Sequence, residues 1–349
     1  MRVLFLPNFR VERLDKDDPS IPTPNKVVGS DGYWFFKHIP DMKVDVLDNR
    51  APFPFGVVSK KSKVELFQAL RALLVHGEYD LVISHSYNSG FVFSFLRSLL
   101  GISQPMHIVV DVGSLNGGKE EPFQIFLIKF ALESVSGLVC HSRINQEFYA
   151  KHFPSTANAF VYFGTDPEFF SSPRNAANGD YALSVGITSR DTKTLLRAWE
   201  RIDFPLKIVG STRRRRTLSR GIEALPQVSI VELMEIIGNA GVVVLPLMNN
   251  RYSVGQMTLT QSMALRKPIV VADVHGVRDY VMSGENCITY RCGDSEDLAE
   301  KVNLVLNDKE LAERISRNAR RDIVQRFNER AMAEGIMQFV ERIGNGKHF

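Results

Sequence analysis

Residues Arg251 to Tyr280 read RYSVGQMTLTQSMALRKPIVVADVHGVRDY and hold, in order, a turn, a helix, a strand and a second turn. Tyr252-Ser253-Val254-Gly255 leads into a helix expected over about Gln256 to Leu265. Lys267-Pro268 ends it, because a residue before proline is steered out of the helical region. Ile269 to Ala272 is continuously apolar and reads as a strand buried on both faces. Asp273 to Gly276 turns toward another helix, expected near Val277. A loop hinged on Gly255 that feeds a helix start offers free N–H groups and the positive end of a helix dipole. That geometry holds phosphate without a metal. Thr258, Gln261, Ser262 and Leu265 follow at i, i+3, i+4 and i+7, which puts two hydroxyls and an amide on one face suited to sugar or ribose hydroxyls. Leu259 and Met263 should pack inward. An ordinary amphipathic helix with a solvated face has the same spacing.

Away from this stretch, 349 residues suffice for two domains. The composition is globular, 44% hydrophobic and 23% charged. Forty-three basic against 39 acidic residues give +4, a mild excess that suits anionic substrates or a membrane surface and does not call for nucleic acid. Cys140, Cys287 and Cys292 have no metal-ligand spacing and fit a reduced, cytoplasmic protein. No signal-peptide core and no run of transmembrane length stands out. Apolar runs at Arg2–Leu6, Lys43–Leu47, Leu81–Ser84, Met106–Val110, Gly137–Cys140 and Ala159–Tyr162 alternate with helical patterns at Lys63–Leu74, Phe91–Leu100 and Pro122–Ser134. The alternation resumes at Tyr181–Val185, Leu206–Val209 and Val242–Leu245. It predicts an α/β chain with parallel sheets, whose ligands gather at the carboxyl ends of strands. His85, Asp111, Ser142 and Gly164-Thr165-Asp166 stand at such ends.

The segment from Ser253 to Ile269 resembles the nucleotide-sugar site of the GT-B glycosyltransferases, in particular glycosyltransferase family 4. That family carries a glutamate, seven residues and a second glutamate, then a Met-Ala-x-Gly-x-Pro-Val-like run. Here Ser262-Met263-Ala264-Leu265-Arg266-Lys267-Pro268-Ile269 continues the match, and the two acid positions fall on Ser253 and Gln261. Phe163 to Phe170 resembles the family's Asn-Gly-Val-Asp-x-x-x-Phe link. Gly186 opens a loop where the family places an arginine and a lysine on the diphosphate. This chain has Ile187 at the arginine position, with Arg190 and Lys193 nearby.

The resemblance implies two Rossmann-like domains with parallel sheets facing a cleft, residues 1–170 joined by a C-terminal helix at 329–349, and residues 171–328. It implies a retaining, metal-independent transfer from a nucleotide diphosphate sugar, which is a substrate and not a cofactor, to a glycan, lipid-linked or small-molecule acceptor. Gly186, Arg190, Lys193, Gly255, Gln256, Met257, Thr258 and Gln261 would bind the donor. Gly29 and Gly32 loosely match a loop over the cleft, where His85 would also lie, although His85 also reads as a structural turn histidine. Asp111 stands where the family often has a histidine near the donor sugar. It either orients or deprotonates an acceptor hydroxyl, or bonds the backbone of its own turn. Ser253 takes the place of the first acid. With both acids replaced, a nucleotide-sugar epimerase and a binding protein without catalysis stay open.

Two charge features complete the reading. Asp15-x-Asp17 reads as solvated charge rather than a metal motif, and Arg213 to Arg216 as a solvated surface run. Ser59-Lys60-Lys61-Ser62-Lys63 beside an apolar helix suits a peripheral contact with anionic membranes, or simply solvated lysines.

Overall fold

In the computed structural model every apolar run becomes a strand, buried except at the edges of its sheet, where Lys43–Val46 is exposed or half-buried and Asn158–Phe160 partly so. Residues 1–14, 26–28, 34–50, 61–113, 115, 121–171, 179–210, 214–219, 221–250 and 252–345 are described. The chain divides into two compact units, Met1–Tyr162 with Glu329–Phe349, and Phe163–Asn328.

In the first unit β1 (Arg2–Pro7) is followed by a short parallel pair, β2 (Glu12–Leu14) and β3 (Lys26–Val28). Then come β4 (Lys43–Val46), α1 (Lys61–Val75), β5 (Leu81–His85), α2 (Tyr87–Leu99), β6 (Met106–Asp111), α3 (Pro122–Leu132), β7 (Gly137–Cys140), α4 (Arg143–His152) and β8 (Asn158–Phe160). The six-stranded sheet runs β4-β1-β5-β6-β7-β8 and is parallel throughout. Ala69 and Ala72 of α1 and Phe93 of α2 close over Leu4, Leu6 and Val82, while Leu132, Phe148 and Tyr149 close over Val109 and Leu138. Each large apolar side chain so covered contributes about 1.5–3 kcal/mol. The C-terminal helix Glu329–Asn345 completes this unit against β7, and Lys37 pairs with its Glu329 at 3.0 Å.

In the second unit β9 (Ala182–Val185), α5 (Thr192–Ala198), β10 (Leu206–Val209), β11 (Arg216–Ser219), β12 (Ile222–Leu225), α6 (Ile230–Gly238), β13 (Val242–Leu245), α7 (Gln256–Ala264), β14 (Ile269–Ala272), β15 (Ile288–Tyr290), α8 (Ser295–Asn307) and α9 (Lys309–Gln325) follow in turn. The seven-stranded order is β11-β12-β10-β9-β13-β14-β15, with only β11 antiparallel. Strand order reverses between β9 and β13, and a crevice at such a point is where open α/β sheets take ligands.

Three expectations differ from the structure. Asp273 to Tyr280 is a series of turns, not the start of a helix. Val277 N–H donates to the Val274 carbonyl and Tyr280 N–H to the Val277 carbonyl, three-residue turns, while the Gly276 carbonyl, which a helix would offer to the Tyr280 N–H, accepts from Gln256. Phe163 to Phe170, expected to close the first domain, belongs to the second unit: Phe163 N–H donates to the Tyr280 hydroxyl at 2.8 Å and Thr165 N–H to the Phe327 carbonyl at 3.0 Å. Helix α4 was not anticipated, although Asn145, Phe148 and Tyr149 at i, i+3 and i+4 mark its buried face. The Asp15-x-Asp17 pair, Gly29, Gly32, Ser59-Lys60, Ser114 and Arg213 lie outside the described residues.

Candidate functional site

The site grows from the crevice between β9 and β13. Gly255 starts α7 in the left-handed conformation, φ 81°, and a Cβ there would stand 2.9 Å from Leu247. No side chain caps this helix start, so the N–H groups of its first turn point away from α7 without a side-chain acceptor.

Opposite it, β9 ends at Gly186, φ 111°, and the chain curls back so that Arg190 lies over the glycine. Arg190 donates from Nε to the Val185 carbonyl (2.8 Å), from Nη1 to the Thr188 carbonyl (3.0 Å) and from Nη2 to Thr258 Oγ1 (3.3 Å). All its acceptors are neutral, and no carboxylate pairs with it among the described residues. Burial pulls its guanidinium down to about 10, which leaves it charged at neutral pH. A partly buried, uncompensated cation beside an uncapped helix start is an electrostatic site for a diphosphate. Lys193 lies on the first turn of α5, exposed, and shares no bond with this cluster.

Helix α7 carries the remaining predicted donor residues in a different arrangement from the one expected. Gln261 and Ser262 are buried, not solvated. Ser262 donates its hydroxyl to the Thr258 carbonyl at 2.7 Å, so it serves the helix. Gln256 is buried with its amide N–H on the Gly276 carbonyl, which fastens α7 to the turn after β14. Met257 is exposed and Thr258 faces Arg190. Gln261 is 7% exposed, and its amide is not among the buried side-chain groups left without a partner, so what remains open of it is open to solvent or ligand. Ser253 is buried in the loop before α7.

A polar cluster unrecognised in the sequence ties the two loops together. Asn250 donates to Ser189 Oγ (2.8 Å) and to the Tyr252 hydroxyl (2.9 Å), and those two hydroxyls lie 3.2 Å apart. Ser189 takes φ 56°, rare for a residue with a Cβ, and no local sequence pattern marks the cluster, since Asn250 and Ser189 stand 61 residues apart.

In the first unit, Asp111 ends β6 fully buried, accepting from the Tyr149 hydroxyl and, at 3.4 Å, from the Leu115 N–H of its own turn. It is built into the core of its strand end. His85 ends β5 within a nest of Phe5, Phe9 and Trp34, and neither ring nitrogen has a hydrogen-bond partner among the described residues. Burial, helped by the neighbouring His141, pushes it down to about 3. Among the described residues no three His, Cys, Asp or Glu side chains converge as a metal site. All three cysteines are free, and no described helix is long and apolar enough to cross a membrane.

Residues 172–322 match the family described as Glycosyl transferases group 1. The second unit therefore carries a glycosyl transferase group 1 domain. Over 282 residues the chain is 22% identical to an uncharacterized glycosyltransferase of Methanocaldococcus jannaschii, covering 76% of each. Over 112 residues it is 25% identical to the N,N'-diacetylbacillosaminyl-diphospho-undecaprenol alpha-1,3-N-acetylgalactosaminyltransferase of Campylobacter jejuni, 32% of this chain and 29% of that one. The crystal structure of Anabaena HepE in complex with UDP superimposes with a TM-score of 0.68 at 15% identity, over 98% of this chain and 100% of that one. The fold is GT-B, two Rossmann-like domains. The group 1 domain and the relatives named as glycosyltransferases make the chain a transferase.

Proposed function

We propose that the chain moves a sugar from a nucleoside diphosphate sugar to a hydroxyl acceptor, with the diphosphate between Arg190 and the first turn of α7. The observation that carries this reading is the Arg190 guanidinium, uncompensated by any described carboxylate and set beside a helix start without a cap. Charge that develops on the leaving diphosphate would be met by that cation and by the α7 dipole, without help from a divalent ion. Gln261 would bond the ribose or sugar hydroxyls as donor and acceptor. The incoming hydroxyl would lose its proton to the donor phosphate on the face the nucleotide leaves, which retains the anomeric configuration and asks no side chain to act as a nucleophile. UDP is the nucleotide to test first, since HepE was crystallised with it. A lipid-linked diphosphate is the acceptor class to test first, since the Campylobacter relative is named for one.

Calorimetry with UDP and UDP-sugars on the parent chain and on Arg190→Ala tests the donor site. The variant should bind roughly tenfold or more weakly, the scale of a lost charge-assisted hydrogen bond of about 1.5–3 kcal/mol. Equal affinity would remove Arg190 from the site. A second reading, nucleotide-sugar binding without transfer, draws on the absence of a carboxylate at both Ser253 and Gln261. Donor bound tightly and never consumed with any hydroxyl acceptor would favour it.

A further inference from the structure

At the amino edge of the second unit's sheet, the edge away from Arg190 and Gly255, lies a hollow of about 270 Å³. It is bounded by the residues that lead into β9, β10 and β13, by the end of α8 and by the start of α9. Seven residues separate Gly179, which lines it, from Gly186 beyond the far end of β9. That is roughly 20 Å along a strand, so the hollow is not part of the donor site. Gly179 and Gly241 line it with backbone alone: a Cβ on Gly179 would lie 2.1 Å from the Gly241 nitrogen, and one on Gly241 2.6 Å from the Gly179 oxygen. The half-buried Phe204 ring stands beside them, 3.5 Å from the place a Gly241 Cβ would take. Leu306 and the buried Ala312 extend this apolar lining.

Around it stand Asp203, Asn303, Asn307 and Lys309. Among the described residues none of these four side chains makes a hydrogen bond or an ion pair within the protein. Uncommitted polar groups on an open surface are ordinary; gathered around an apolar hollow they are the composition of a small-molecule pocket. Their chemistry selects the occupant. The carboxylate only accepts, the ammonium only donates and the two amides do both, which matches a ligand whose polar groups each donate and accept. One acid against one base leaves the hollow without net charge. The start of α9 is already capped by Asp308, which accepts from the Leu311 N–H at 2.9 Å, so neither a phosphate nor a cation is favoured. The volume falls just below the range of about 300–1,000 Å³ that drug-sized ligands occupy, enough for one ring and too little for a nucleotide. A neutral pyranose, with hydroxyls on its rim and a C–H face for Phe204, answers all of these features. A chain with a group 1 glycosyltransferase domain works among such sugars.

We infer that this hollow is a second saccharide site, remote from the donor site, which holds one sugar ring of a glycan between Phe204 and the four polar side chains. The inference goes beyond the proposed donor site and does not depend on Arg190. Such a site keeps a glycan on the protein between encounters and raises the local concentration of its ends.

Saturation-transfer NMR on the full chain tests the inference, with methyl glucoside, methyl galactoside, N-acetylglucosamine and N-acetylgalactosamine as probes. At least one should bind saturably with a roughly millimolar Kd, ordinary for a ligand of about a dozen heavy atoms. Asp203→Ala with Asn307→Ala, both at exposed positions, should weaken that binding at least tenfold while circular dichroism and UDP affinity stay unchanged. Arg190→Ala should bind the sugar as the parent does. No saturable binding by any of the four, equal binding by the double variant, loss of binding in Arg190→Ala, or displacement of the sugar by inorganic phosphate would each overturn the inference. UDP affinity measured on the same preparations keeps the two readings apart: nucleotide binding without sugar binding sinks the second site alone, and sugar binding without nucleotide binding sinks the donor site alone.

Discussion

The guanidinium of Arg190 rests on the bare Cα of Gly186, so closely that a Cβ there would lie 2.6 Å from its Nη2. Gly186 also holds φ 111°, a conformation that side chains with a Cβ avoid. Gly186→Ala should therefore displace Arg190 and lower nucleotide affinity about as much as Arg190→Ala does, roughly ten- to hundredfold. A Gly186→Ala protein that binds UDP normally would show that the cation does not need this seat.

Gln261 separates a working donor pocket from a vestigial one. Gln261→Ala should loosen nucleotide binding by about 0.5–1.5 kcal/mol, the net scale of a neutral hydrogen bond. Gln261→Glu should keep or tighten it, because a carboxylate accepts more strongly from ribose hydroxyls. The same carboxylate, buried and unpaired without ligand, should lower the melting temperature of the free protein, and UDP should restore it. Calorimetry and melting curves on the three proteins decide the matter, and identical affinities throughout would take Gln261 out of the site.

Acid should weaken the first unit through His85. Its proton is bound at about 6.5 when unfolded but only at about 3 when buried. Between these values the unfolded chain holds more protons, so stability falls as pH drops through that window, by up to roughly 1.4 kcal/mol per pH unit. His107 and His141, lowered chiefly by burial too, add to the slope. His85→Phe, an aromatic among Phe5, Phe9 and Trp34, should flatten it in part. Denaturant melts at pH 7, 6 and 5 that are parallel for both proteins would rule this out.

Transfer, once an acceptor is in hand, should persist in excess EDTA, since the proposed diphosphate partners are a helix start and an arginine. Activity abolished by EDTA and restored by Mg²⁺ or Mn²⁺ would reassign the neutralising role to a metal.

Gly137 is a stability position with no part in binding. A Cβ on it would stand 2.6 Å from Ile343 and 2.7 Å from Phe339 of the C-terminal helix. Gly137→Ala should cost about 1–3 kcal/mol by overpacking and leave UDP affinity intact. A variant as stable as the parent would mean that the C-terminal helix yields freely.

The strands were legible because a run such as Ile269 to Ala272 admits few other arrangements once its flanks are proline and a turn. Helix α7 and its Gly255 start were legible for the same local reason, the stop at Lys267-Pro268 and the glycine hinge. Those features, with the alternation of strand and helix, determined the fold class and the end of the sheet at which ligand gathers. Arg190 was visible as a cation in the right loop but not as the one turned inward, since its acceptors, Val185, Thr188 and Thr258, include one 68 residues away. Gln256 and Gln261 stand on the same short helix, yet tertiary structure commits an N–H of the first to the Gly276 carbonyl 20 residues on. Asp111, read as a candidate base or as an Asp bonding its own turn, does accept from the Leu115 N–H of that turn, but its bond from the Tyr149 hydroxyl, 38 residues on, could not be read along the chain. Hydropathy and backbone preference act over one or two turns and can be read along the chain. Which buried polar group keeps its bonding capacity for a ligand depends on partners that only folding brings within 3 Å or so, and there the tertiary structure alone decided.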